Sequence, residues 1–117
     1  MLHPGGSAAS PGIITHRQRI AVANPFPGHY VMAEAQIRVG NQWGRAAWAS
    51  YDWMHGMFAG SGVAAAQLFP SGAVIIQAGR HSVAAQSDGG GSPFGEFNIF
   101  LNSAPYRLVV TRLGKIM

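Results

Sequence analysis

Between Tyr30 and Val39 the chain alternates apolar and polar positions: Val31, Ala33, Ala35, Ile37 and Val39 on one side, Met32, Glu34, Gln36 and Arg38 on the other. Side chains of a strand point to opposite faces in turn, so this period of two predicts a half-buried strand. Gly40-Asn41 then supplies residues that tolerate the positive φ of a two-residue hairpin turn. Gln42 to Tyr51 resumes the pattern, with Trp43, Arg45, Ala47 and Ala49 on one face and Ala46, Trp48 and Ser50 on the other. One of these two tryptophans is therefore expected in the core and the other exposed or at an interface.

The same reasoning places further strands. Ile13 to Val22 predicts a first strand, ended by the rigid turn Asn24-Pro25-Phe26-Pro27-Gly28. Val63–Phe69 and Ala73–Ala78 flank Pro70-Ser71-Gly72 as a second hairpin, whose run Ala73-Val74-Ile75-Ile76 is β-branched enough for a buried strand. His81–Gln86 adds a short strand, and Ser87 to Pro93, with three consecutive glycines, reads as a loop. A third hairpin joins Glu96–Leu101 to Tyr106–Leu113 through a turn at Asn102-Ser103-Ala104-Pro105. Asp52 to Gly62 reads as irregular, because Gly56, Gly60 and Gly62 interrupt its apolar residues. Gly62–Gln67, Ala73–Gln77 and Ser82–Gln86 share an apolar run ending in glutamine, without the fixed period of a repeat. The expected fold is an antiparallel β-sandwich or jelly-roll-like barrel over residues 13–117. Residues 1–12, rich in glycine, serine and proline, are expected as an extended docking arm, with Leu2, His3, Pro4 and Ile13 as its assembly contacts.

Composition narrows the function. The 117 residues allow one domain, and apolar residues make up 48 % of them, which excludes a solvated disordered chain. No stretch approaches the apolar length of a membrane-spanning helix, and the start of the chain lacks a secretory signal's pattern. Without cysteine there is no disulfide framework and no thiolate chemistry. Charged residues are only 10 %, where about 25 % is usual, and seven of the eight cations are arginine. A small domain exposes much of its surface and normally covers it with lysine and glutamate, so part of this surface is expected to be buried in an oligomer. Guanidinium groups tolerate interfaces better than ammonium groups. The net charge of +4 is spread along the chain with no basic run, so nucleic acid is not the expected partner.

Catalytic groups are sparse. His3, His16, His29, His55 and His81 form no metal-ligand spacing, and no cofactor or metal is expected. Asp52 and His55 stand within one turn of each other, and Ser50, Ser61 or Ser71 would have to complete a triad with them, but none sits in a nucleophile-elbow context. Gly60-Ser61-Gly62 and Gly89-Gly90-Gly91 lack the lysine and hydroxyl residue that end a phosphate-binding loop. The best candidate site is the cluster Trp43, Trp48, Tyr51, Trp53 and Phe58 with Arg45 nearby. Core packing or a subunit interface accounts for it, or else a ligand surface whose rings stack on sugars or bases.

Three passages carry a resemblance: Ala35-Gln36-Ile37-Arg38-Val39-Gly40-Asn41-Gln42-Trp43, Ser71-Gly72-Ala73-Val74-Ile75-Ile76-Gln77-Ala78-Gly79, and Ala104-Pro105-Tyr106-Arg107-Leu108-Val109-Val110-Thr111-Arg112. With the glycine-rich start, these make the span from Tyr30 to Lys115 resemble the structural accessory proteins of tailed bacteriophages: terminal domains of tail and head fibres, and decoration proteins. The resemblance implies localisation to the virion, a homo-oligomer with a trimer as its usual form, an arm attached to other virion proteins, and a β domain that binds a host surface glycan or stabilises the particle. Fibre shafts carry repeats that this chain lacks, so it would be a compact tip, a plug or a decoration subunit. Two alternatives stand beside this expectation of a non-enzymatic protein: a monomeric carbohydrate-binding module using the Trp43 to Trp53 region, and a small hydrolase using Asp52 and His55.

Overall fold

The computed structural model describes residues 1–46, 49–54, 57–84, 94 and 101–116, giving the backbone alone for 49–54 and 57–59. The described residues contain nine strands and no helix: β1 (Ile13–Thr15), β2 (Arg19–Val22), β3 (His29–Val39), β4 (Gln42–Arg45), β5 (Ala49–Met54), β6 (Met57–Ser61), β7 (Val63–Gln67), β8 (Val74–Ala78) and β9 (Ser103–Lys115). They form antiparallel sheets in the orders β1-β9-β3-β4 and β2-β8-β7, with β5-β6 as a separate pair. No helix is long and apolar enough to cross a membrane among these residues.

The core follows from the alternation. Val31, Ala35 and Ile37 of β3 and Ala104, Tyr106 and Leu108 of β9 are buried on one face of the four-stranded sheet. They pack with Val63 of β7 and Val74, Ile76 and Ala78 of β8, so the two larger sheets meet as a sandwich-like pair. The β3–β4 hairpin has the expected register, Val39 opposite Gln42 and Arg38 opposite Trp43. Its turn uses Gly40 at a φ of +62°, the left-handed value that glycine reaches without a Cβ clash. The β7–β8 hairpin is also formed, with Gln67 opposite Val74.

Several expected elements differ. The strand expected over Ile13–Val22 is two strands in different sheets, because Arg17 turns the chain at a φ of 69° and its N–H bonds the carbonyl of Gly79 at 2.8 Å. The expected strand Gln42–Tyr51 stops at Arg45 and resumes as β5 at Ala49, while the region read as irregular contains β6 and the second half of β5. Cross-strand pairing there, Tyr51 opposite Ala59 and Asp52 opposite Phe58, outweighs the low strand propensity of glycine. The turn expected at 102–105 is instead the beginning of β9, paired to β1. Pro105 fits because the N–H of Tyr106 points toward β1, bonding Gly12, so the position of the missing donor faces the side where β3 has not yet begun to pair. Of His81–Gln86, Ser82 and Ala84 form isolated bridges to Ser61 and Leu101. The loop Ser87–Pro93 and most of Glu96–Leu101 lie outside the described residues.

Residues 1–12, expected as an extended arm, fold back on their own chain. Leu2 exchanges both backbone hydrogen bonds with Leu108, at 2.8 and 2.9 Å, and packs against the core. Gly6 bonds His3 and Ser7 bonds Ser10, closing turns over the ring of Tyr106, which lies beneath Gly5 and Gly12. The physical reason is the edge of β9: β1 covers it only at Ser103–Pro105, and Leu2 satisfies the exposed backbone further along.

Candidate functional site

Alternation that buries one face of β3 and β9 presents the other outward. β3 sends Tyr30, Met32, Glu34, Gln36 and Arg38 to that outer face, and β9 sends Arg107 and Val109. The register sets Arg45 of β4 and Arg107 of β9 on either side of Gln36, and Arg38 opposite Trp43. Three strands, β3, β4 and β9, thus bring Arg38, Arg45 and Arg107 to the face that carries the Trp43 indole.

The Arg107 guanidinium lies over the Trp43 ring at 4.3 Å from its centroid, and that of Arg38 at 5.7 Å. A guanidinium over an indole face is attracted by the ring quadrupole and loses part of its mobility. A side-chain relay holds Arg107 further: its Nε donates to Gln36 Oε1 at 2.7 Å, and Gln36 Nε2 donates to Glu34 Oε2 at 2.7 Å. The carboxylate of Glu34 is thereby bonded to an amide rather than to an arginine. Trp43, Glu34, Gln36 and Arg107 are half-buried, while Arg38 and Arg45 are exposed.

At the far end of the same face the surface is apolar. Met32 is 65 % exposed and Phe69, in the β7–β8 turn, is 52 % exposed, with the Phe69 ring edge-on to Tyr30 at 5.5 Å. Leu113 of β9 is also exposed. Beneath this end, Gln67 seals the open edge of β3: its Oε1 accepts the N–H of Val31 at 2.9 Å and its Nε2 donates to the carbonyls of His29 and Gly72 at 3.1 Å.

Of the residues singled out in the sequence, the structure brings Trp43 and Arg45 onto one face. Tyr51 and Trp53 belong to β5 and Phe58 to β6, with only their backbones described, and Trp48 lies outside the described residues. Leu2 is committed to Leu108, and the ring of half-buried His3 has its Nδ1 buried without a hydrogen-bond partner. Pro4 lies against Gly12, and Ile13 of β1 is exposed opposite Pro105. Sequence reasoning missed Arg38 and Arg107. The two-residue turn already implied that Arg38 faces Trp43, whereas Arg107 is joined to the site only by pairing between distant segments.

Of the hydroxyls weighed as nucleophiles, Ser50 has only its backbone described, and those of Ser61 and Ser71 serve structure. Ser61 is 1 % exposed and accepts a hydrogen bond at 2.8 Å from the buried hydroxyl of Ser82. Ser71 bonds within its own turn, to Leu68 O and from the N–H of Ala73. Asp52 has only its backbone described, and His55 lies outside the described residues. Among the described residues no group of three histidine or acidic side chains is placed to hold a metal ion. No protein-family model, curated protein or solved structure matches the chain.

Proposed function

We propose that the chain is a non-enzymatic structural module of a virion, of the fibre-tip or decoration type, which assembles with copies of itself and with other virion proteins and contacts a host surface. The observation that supports this reading is the uncovered outer face of β3 and β9, where Tyr30, Met32, Leu113 and Phe69 gather at one end of a domain with few charges. Exposed apolar residues gathered in one patch mark a surface that meets a partner. A closed cyclic oligomer, a trimer in the form the resemblance implies, would cover this end and leave the arginine end free. Residues 1–12 keep an exposed stretch from Gly5 to Ser10 for contact with a neighbouring virion protein, even with Leu2 seated on β9.

Light scattering on the purified chain at two concentrations tests the assembly. The expected result is a mass of about three or more subunits at both concentrations, since an obligate assembly resists dilution. A monomer at both would reject it and favour the carbohydrate-binding module, which Trp43 and its arginines would serve without any particle.

A further inference from the structure

The arginine end of the outer face has the chemistry of an anion site. Arg107 uses its Nε on Gln36, and among the described residues no hydrogen bond or ion pair engages its two Nη nitrogens or the guanidinium groups of Arg38 and Arg45. The one acid among the described side chains of this face, Glu34, is bonded to Gln36. Among the described residues, then, Arg38 and Arg107 lie over one half-buried indole with Arg45 on the same face, and none of the three meets a carboxylate. We infer that Trp43, Arg38 and Arg107 form a binding site for a carboxylated polysaccharide, taking one acidic sugar with its carboxylate on the guanidinium forks and its ring beside the part of the indole left exposed. This deepens one part of the proposed function, the outer face as a contact surface.

Charge complementarity selects the occupant. A second copy of the chain would bring the same three arginines to this end and place like charges together, which opposes association. A neutral glycan would use the indole and leave the arginines without partners. Nucleic acid is held by many phosphate contacts along a track and by successive aromatic platforms, while the described residues of this end offer three cations and one ring. In a uronic acid the carboxylate is attached to the sugar ring itself. That spacing suits guanidinium groups 4.3 and 5.7 Å from the indole centroid. A planar carboxylate also matches the two parallel N–H groups that a guanidinium presents. Because Gln36 and Trp43 already restrain Arg107, little side-chain entropy remains to be lost on binding.

The test is a titration of the intact chain with polygalacturonate, read by tryptophan fluorescence and by retardation in polymer-containing gels. Fully methyl-esterified polymer keeps the sugar backbone and removes the charge. Binding to the acidic polymer that weakens with salt is expected, together with a loss of about tenfold for Arg38→Gln and for Arg107→Gln, the scale of one charge-assisted hydrogen bond. Arg19→Gln removes an equal charge from β2 in the other sheet and leaves affinity unchanged. Arg38→Gln keeps the test decisive if Arg107→Gln perturbs folding, because Arg38 is exposed and makes no hydrogen bond among the described residues. Absence of binding, equal binding to the esterified polymer, equal loss with Arg19→Gln, or tighter binding to single-stranded DNA at the same salt would each overturn the site. A monomeric mass with polyuronate binding intact would reject the assembly alone, and a multimeric mass without binding would reject the site alone.

Discussion

The two faces of β3 and β9 are made from alternate residues of the same strands, yet they are held by different physics. On the inner face Ile37 and Leu108 are fully buried, and stability there comes from apolar area removed from water and from close packing. On the outer face Gln36 and Arg107, each one residue away in sequence, are joined by a hydrogen bond, and Arg107 lies over the Trp43 indole. Polar contacts at a partly exposed surface contribute little to folding, because water competes for every group. Removing a side chain is thus costly on one face and nearly free on the other. The free face is where a sequence can evolve contacts with something outside the chain.

Truncating the inner face gives the largest effect. Leu108→Ala is expected to lower unfolding free energy by about 3 kcal/mol in urea denaturation, with its outer neighbour Val109→Ala costing under about 1 kcal/mol. A close second tests the boundary between sheets at Gly79, where an added Cβ would stand 2.5 Å from Gly60 O and 2.6 Å from Ser82 O. Both neighbours are backbone, so Gly79→Ala must move the chain and is expected to cost about 2 kcal/mol. Gln67→Ala leaves the Val31 N–H and His29 carbonyl without their partner and is expected to cost about 1 to 2 kcal/mol, with faster amide exchange at Val31.

Tyr106 sharpens the comparison through pH. Burial raises its phenol above the ordinary tyrosine value of 10.0. Below that value the phenol is neutral in both folded and unfolded chains, so its contribution is fully present. As pH rises past it, the unfolded chain ionises first and stability falls until the folded phenol ionises too. Tyr106→Phe is expected to flatten this part of the alkaline decline in thermal melts between about pH 9 and 11. The smallest expected effect on folding is that of Arg107→Gln, within about 0.5 kcal/mol of the parent in the same melts.

What could be read from the sequence divides along the same line. The inner face of β3 was legible because its alternation is local, and the β3–β4 register followed from Gly40-Asn41. The run Val74-Ile75-Ile76 was legible as a buried strand for its β-branched content, and Ile76 is fully buried. The break at Arg17 was not legible, since a non-glycine residue at positive φ carries no compositional mark. Nor was the fate of the first twelve residues, whose glycines fit an extended arm and a folded turn equally; the free edge of β9 decided between them. At the candidate site Trp43 and Arg45 were visible as residue types in a hairpin. Arg107 required the pairing of β3 with β9, a contact across 71 positions that no local pattern encodes. The shared glutamine endings, in contrast, have a physical counterpart: Gln67 and Gln77 both donate their amides to backbone carbonyls next to strand ends.

We propose the apolar end of the outer face of β3 and β9 as the contact between subunits, distinct from the folded core. Its most direct test is the solution mass of Met32→Lys beside that of the parent chain, with thermal melts of both. A parent of about three or more subunits, with a variant that is monomeric and melts cooperatively in dilute solution, is the expected result, since a buried lysine without a partner disrupts an interface. A parent that is already monomeric, or a variant that keeps the full assembly mass, would contradict it.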